Sequence, residues 1–302
     1  MMKHLFIINP HAGGGKETEL LIREIKDTFK GLDFAIELTH DANDATNIAK
    51  QYVKEGQNMT VYACGGDGTL NEVVNGIYGF DNARLGLIPE GTGNDFIKTL
   101  KYDESEMRDL KRYLNPGVID CDLLSTSGRI GINTMSVGLD ALIAENVIKF
   151  KNFKKFGSIF PYFLSYLYSM KEKAVKHYTV FIDDKLLGDA DYLFLVAGNG
   201  RYYGGGYCPV PMAEINDGIM DICLIKPMSK PRMLQLTNHY RKGTHTDIDA
   251  EKIKIYHGKK LKLMCQDELI INVDGEIVHA QNPTIQLLPG AVKLVLPGKV
   301  ND

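Results

Sequence analysis

Short apolar runs and amphipathic stretches alternate along the first third of the chain. Residues His4-Leu5-Phe6-Ile7-Ile8-Asn9 read as a strand, after which Leu20, Leu21, Ile25 and Phe29 recur at helical spacing. Phe34-Ala35-Ile36-Glu37-Leu38 predicts a second strand, and residues 42–53 a second helix. Met59-Thr60-Val61-Tyr62-Ala63 is β-branched and aromatic, as a buried strand requires, and Leu70, Val73, Val74 and Ile77 restart the helical period. A fourth strand at Leu85-Gly86-Leu87-Ile88 leads to a further helix after Asp95. Strands and helices alternating at this spacing imply an α/β domain built on a doubly wound, mainly parallel sheet.

Beyond Asn115-Pro116-Gly117 the period changes. Strands are expected at 118–124 and 131–137, then a helical region at about 139–173, then strands at 178–182, 192–198, 220–225, 253–256, 260–265, 269–273, 284–288 and 292–296. A short helix is expected at 234–240. So many short strands with turn signals between them predict a mainly antiparallel β-sandwich. The expected division is therefore residues 1–117 and 118–290, without internal repeats or a long linker.

In open parallel sheets, ligands bind at the carboxyl ends of the strands. Three of those ends carry glycine loops here: Gly13-Gly14-Gly15, Gly65-Gly66-Asp67-Gly68 and Gly91-Thr92-Gly93. A strand, a glycine turn and a helix N-terminus together let backbone N–H groups meet a phosphate. One such loop is ordinary turn chemistry, whereas three at one sheet edge point to phosphate binding. There is no GxxxxGK[ST] loop, and no GxGxxG in the first unit. Asp67 is an awkward phosphate neighbour unless a cation or a proton transfer is involved.

Composition narrows the class. Of 302 residues 44% are apolar and 24% charged, as in ordinary globular chains with enough material for two cores. The net charge of −3 argues against a large nucleic-acid-binding face. Five scattered cysteines without a CxxC pair argue for reduced core residues in a cytosolic protein. The N-terminal apolar run is too short for a signal peptide. The longest uncharged stretch, residues 156–170, is too short to span a bilayer and predicts no transmembrane segment.

The loops carry a resemblance. Asn9-Pro10-x-x-Gly13, Gly65-Gly66-Asp67-Gly68-Thr69-x-Asn71-Glu72 and Gly91-Thr92-Gly93-Asn94-Asp95 resemble the three N-terminal motifs of the diacylglycerol kinase catalytic-domain family, in particular its bacterial soluble lipid kinases. The likeness covers essentially the whole chain. The GGDGT motif alone is shared with the NAD kinases, but its combination with GTGND at this spacing is more specific.

By position, the resemblance implies that Asn9, Pro10, His11, Ala12 and Gly13, with Gly66, Asp67, Gly68, Thr69, Leu70, Asn71 and Glu72, cradle the phosphates of ATP. Thr39 and Thr92 would add hydroxyl contacts, although Thr39 reads equally as a cap before Asp41. Lys16 either neutralises phosphate or is merely solvated. The side chains of His11 and His40 receive no role. Glu214-Ile215-Asn216-Asp217-Gly218-Ile219 looks like a metal site, with the Asp217 carboxylate and the Glu214 and Ile219 carbonyls around Mg²⁺; an Asp-Gly pair before a strand is otherwise a tight turn. Asn272-Val273-Asp274-Gly275-Glu276 is a second Asp-Gly turn. There the family implies a catalytic carboxylate, Glu276 ranking first and Asp274 as its partner.

Val137-Gly138-Leu139-Asp140-Ala141 resembles the family's Gly-Phe-Asp-Ala stretch with leucine in the aromatic position. Lys149, Lys151, Lys154 and Lys155 then alternate with Phe150, Phe153 and Phe156, which suits either an anionic membrane surface or an amphipathic core helix. The resemblance therefore implies a nucleotide-binding domain at 1–117, a lipid-substrate domain at 118–290, and a segment from about 290 to 302 that packs back onto the first. It also implies a cytoplasmic, peripherally membrane-associated kinase with ATP as co-substrate, Mg²⁺ as cofactor and room for a homodimer. The expected reaction moves the γ-phosphate to a lipid hydroxyl, diacylglycerol giving phosphatidic acid. The alternatives are phosphatidylglycerol or a sphingoid base as acceptor, an NAD kinase-like enzyme, and a nucleotide- or lipid-binding module without turnover.

Overall fold

The computed structural model describes residues 2–14, 17–150, 160–169 and 174–299. Two compact units emerge. The first holds the described residues of 1–123, 215–217 and 289–299, and the second those of 124–214 and 218–288. The chain begins β1 (Lys3–Ile8), α1 (Thr18–Thr28), β2 (Phe34–Leu38), α2 (Asp44–Val53), β3 (Met59–Gly65), α3 (Asp67–Ile77), β4 (Ala83–Pro89) and α4 (Glu104–Arg108). It continues with β5 (Gly117–Thr126), β6 (Arg129–Gly131), β7 (Thr134–Gly138), α5 (Leu139–Asn146), α6 (Phe160–Ser169), β8 (Lys176–Ile182), β9 (Lys185–Tyr192) and β10 (Phe194–Gly198). The remainder is β11 (Met220–Ile225), α7 (Lys230–Lys242), β12 (Ile253–Gly258), β13 (Lys260–Met264), β14 (Leu269–Val273), β15 (Glu276–Ala280) and β16 (Thr284–Leu296).

In the first unit the strands lie in the order β2-β1-β3-β4, all parallel, and β16 adds alongside β4 through Lys293↔Arg84 and Leu294↔Leu85. All seven residues of β3 are buried, as expected of a central strand covered on both faces. One face packs Phe6, Ile8, Tyr62 and Ile88 against Leu21, Ile25 and Phe29 of the α1 segment. Phe6 stacks on Tyr62 with centroids 4.5 Å apart, and Tyr113 closes the cluster edge-on. This core fixes the carboxyl ends of β1, β3 and β4, from which the glycine loops leave.

In the second unit β12-β11-β10-β7-β14-β15 form an antiparallel sheet. Its inner face, with Met135, Val137, Leu195, Ile222 and Ile271, meets Tyr178, Val180, Leu261, Leu263 and Ile285 of the strands around β8 and β13. Its outer face carries Val196, Cys223 and Ile225 against Leu139 and Leu236 of α5 and α7. Alternate residues of β11 therefore serve different cores, so the whole strand is buried. The α/β sheet and the antiparallel sandwich are the fold class expected from the sequence.

Local differences have physical causes. The helix expected after Asp95 is a single 3-10 turn, Ile97–Thr99, because a capping box at Asp103 and Glu106 restarts the chain as α4. The strands expected at 284–288 and 292–296 are one strand, β16. Strands β9 and β15 escape the hydrophobic pattern because they are edge strands with few buried residues. Within the helical region expected at 139–173, α5 and α6 are helical, while Lys151, Phe153, Lys154, Lys155 and Phe156 lie outside the described residues, as do Gly15 and Lys16. All five cysteines are free, and four are buried.

Candidate active site

The first unit brings the three loops together by backbone contact. The amide of Asn9 donates to Cys64 O (2.9 Å), and Glu90 N donates to Gly65 O (3.0 Å). Asn9 Nδ2 reaches Thr69 Oγ1 at 3.3 Å, while Asn9 Oδ1 accepts from His11 N (3.0 Å) and so shapes the first turn. Two glycines are required by close approach. A Cβ on Gly13, where φ is +56°, would lie 2.7 Å from Glu90 O, and one on Gly91 would lie 2.5 Å from Gly66 Cα. The first turn of α3, beside these loops, leaves the amides of Asp67, Gly68 and Thr69 without intrahelical acceptors.

Asp67 is turned toward the third loop. Its Oδ2 accepts from Asp95 N (3.1 Å) and its Oδ1 from Phe96 N (3.3 Å). Burial pushes its carboxyl above the usual range; the two amide donors and Lys98 oppose the rise, and Asp95 adds to it. Lys98 Nζ pairs with Asp95 Oδ1 at 2.6 Å. Asn94, at φ 46°, donates through Nδ2 to Gly91 O (2.8 Å) and Glu104 Oε1 (2.9 Å), which holds the loop in shape.

The other expected positions divide. Pro10, Ala12 and Gly13 sit on the first loop, and Thr92 is exposed on the third. Thr39 is buried at the end of β2, its amide bonded to Ile8 O (3.0 Å). Leu70 and Asn71 are buried in α3. Glu72 turns away from the loops: its Oε2 accepts from Ala45 N (3.1 Å) and its carbonyl from Thr46 Oγ1 (2.8 Å), serving the first turn of α2. A cavity of about 180 Å³ lies beside the first loop, lined by Asn9, Ala12, Gly13, Glu90, Gly91 and Arg108 among others. Arg108 bonds Glu17 and holds Glu90 at 2.9 Å, and Glu90 is raised by burial against the pull of that guanidinium. Asn94 was legible within its motif, whereas Arg108 stands well beyond any motif and carries no sequence signal.

The second unit presents the Asp-Gly hairpin. Asp274 and Gly275 both have positive φ and form the two-residue turn between β14 and β15, with Val273 opposite Glu276. The Asp274 carboxylate accepts from the amides of Ile132 (2.7 Å), Asn133 (3.2 Å) and Thr134 (2.7 Å). Glu276 is exposed at the start of β15. Below the hairpin, Asp140 accepts from Ser136 Oγ and from Tyr203 OH (2.8 Å), and burial pushes its carboxyl up against those bonds. The third constellation, residues 214–219, is one loop before β11. Glu214 and Ile219 belong to the second unit, and Asp217 to the first. Among the described residues, no three His, Cys, Asp or Glu side chains cluster as metal ligands, and no helix is long and apolar enough to cross a membrane.

A parallel sheet with three phosphate-type loops, followed by an antiparallel sandwich with a carboxylate hairpin, defines a phosphotransferase class, and the relatives agree. Residues 3–126 match the diacylglycerol kinase catalytic domain, and residues 133–296 the YegS C-terminal NAD kinase beta sandwich-like domain. The chain belongs to this lipid kinase family, whose members phosphorylate an alcohol group. A protein of Staphylococcus carnosus (strain TM300) named "Putative lipid kinase" is 27% identical over 268 residues, spanning 87% of this chain and 86% of its own. The fold is shared with a diacylglycerol kinase from Bacillus anthracis str. Sterne (TM-score 0.72, 21% identity, 97% and 96% of the two chains). It is also shared with an NAD kinase from Archaeoglobus fulgidus solved with ATP (TM-score 0.52, 13% identity, 98% and 93%).

Proposed function

We propose that the chain transfers the γ-phosphate of ATP to the hydroxyl of diacylglycerol, giving phosphatidic acid and ADP. The observation that carries this reading is the convergence of the three glycine loops, with the free amides of α3 beside them and the Asp67 carboxylate holding the third loop in place. The backbone amides of Gly13 and of residues 66–69 bind phosphate oxygens, Asn9 to Ala12 shape the first loop through their own hydrogen bonds, and Thr39 and Thr92 contribute at the same sheet edge. Glu276 takes the proton of the lipid hydroxyl. The hydroxyl oxygen attacks the γ-phosphorus, the bond to the β,γ-bridging oxygen breaks, and ADP leaves with that electron pair. Asp274 holds the hairpin that presents Glu276.

Mg²⁺ fits the first loop set. Asp67 and Asp95 crowd two acids beside one lysine, and burial disfavours the Asp67 charge, an imbalance that a divalent cation relieves. Bound with ATP, it would neutralise the phosphates. The Asp217 carboxylate and the main-chain carbonyls of Glu214 and Ile219, taken from the family pattern, would offer oxygen donors alone, which suits the same ion.

The test is transfer of labelled phosphate from ATP to diacylglycerol, phosphatidylglycerol, a sphingoid base and NAD, with the lipids in mixed micelles, with and without Mg²⁺. Labelled phosphatidic acid formed only with Mg²⁺ is expected. Transfer to NAD alone, or to none of the four, overturns the reading.

A further inference from the structure

Helix α7 (Lys-Pro-Arg-Met-Leu-Gln-Leu-Thr-Asn-His-Tyr-Arg-Lys) contains no acidic residue. Its inner side places Leu236, with Met233 and Tyr240, against the outer face of the sandwich beside Val210, Cys223 and Ile225. The outer side, at helical spacing, carries Lys230, Leu234, Asn238, Arg241 and Lys242, all exposed. Leu234 is 58% exposed at the centre of this face. Among the described residues, Lys230, Arg241 and Lys242 form no ion pair; the helix's remaining arginine, Arg232, lies toward Asp249 at 3.7 Å. The nearby acids, Asp247, Asp249 and Glu251, belong to the segment after the helix.

A solvated charge run is the simplest account of such a face, and the helix dipole favours Arg241 and Lys242 in the last turn. It does not favour Lys230, a cation in the first turn, where no acid accompanies it. Three unpaired cations around one exposed leucine, on a helix anchored by its opposite side, make a face complementary to an anionic surface in a chain whose net charge is −3. Resting on the lipid-kinase reading above, we propose that the outer face of α7 docks the enzyme on anionic lipid bilayers. Lys230, Arg241 and Lys242 sit at the headgroups and Leu234 enters the interface.

The test is co-sedimentation of the full chain with vesicles of phosphatidylcholine alone or mixed with phosphatidylglycerol, at low and high salt. The wild type is expected on the mixed vesicles at low salt, released by high salt. The triple variant Lys230→Gln, Arg241→Gln, Lys242→Gln is expected to lose binding on the order of 100-fold, the effect of removing three cations from an anionic surface. It should melt as the wild type does and keep its rate on detergent-dispersed diacylglycerol. Absence of the wild type from the mixed vesicles, or equal binding by the variant, overturns the docking face. Failure of the lipid-kinase reading shows separately, as no lipid phosphorylated in micelles whatever the vesicles bind.

Discussion

The Oδ2 atom of Asp67 lies 3.1 Å from the amide nitrogen of Asp95, so the acid inside one glycine turn accepts the backbone of the next. With Oδ1 on Phe96 N, the carboxylate ties the two loops into one unit. The apparent misfit of an acid inside a glycine loop has a structural answer: two of its lone pairs are used within the protein, and in the reaction proposed above the charge that remains would serve a cation.

Replacing Asp67 by Asn separates these uses. An amide keeps one acceptor but turns an N–H toward a second N–H, which costs about 1–3 kcal/mol of stability. Phosphate transfer should fall by about 100-fold or more, the usual cost of removing a preorganised charge from the reacting centre. Thermal unfolding and steady-state kinetics check both; a variant with wild-type turnover removes Asp67 from the mechanism.

Gly91 and Gly68 make a paired test of loop packing. A Cβ on Gly91 would press on Gly66 Cα at 2.5 Å and Asn94 Oδ1 at 2.7 Å, whereas one on Gly68 meets nothing within 4 Å. Gly91→Ala should cost about 1–3 kcal/mol and raise the KM for ATP, because two backbones must part. Gly68→Ala, in the first turn of α3, should be neutral or add up to about 1 kcal/mol. Equal melting temperatures for the two variants would contradict the close approach of the loops.

Stability should also fall with acid through His245. The ring is fully buried, its Nε2 is 3.1 Å from Pro209 O, and burial pushes its pKa from 6.5 down to about 4, against the raising pull of that carbonyl and of Asp247. Above pH 6.5 both folded and unfolded chains hold the ring neutral. Between 6.5 and 4 only the unfolded chain gains the proton, so stability drops as pH falls, by about 3 kcal/mol in all. Urea unfolding across this window should show a smaller loss in His245→Gln than in the wild type, the remainder including His4, whose pKa burial also lowers.

Much of this was legible because it repeats with a period. Parallel strands buried on both faces, such as β3, announce themselves as apolar runs, and their loops as glycines. Glu72 was not legible: the motif places it beside the phosphate loop, but its side chain caps α2, a partner 27 positions earlier in the chain. Asp274-Gly275 was legible as a hairpin turn, whereas the strand that follows it, β15, was hidden because its exposed edge alternates weakly. Arg108 reaches Glu17 across 91 positions, a distance no local pattern encodes.

The two hairpin carboxylates should part under mutation. Asp274 accepts three backbone amides from residues 132–134, the segment leading into β7, so Asp274→Asn leaves a donor unmatched and should cost about 1–3 kcal/mol of stability. Glu276 is exposed, and Glu276→Gln changes neither shape nor packing, so its melting temperature should match the wild type. Its turnover should fall by about 10²–10⁴-fold, the contribution of a positioned general base, with the KM for ATP little changed. Loss of stability in the Gln variant, or full turnover in it, would make Glu276 a structural residue and leave the proton to another acceptor.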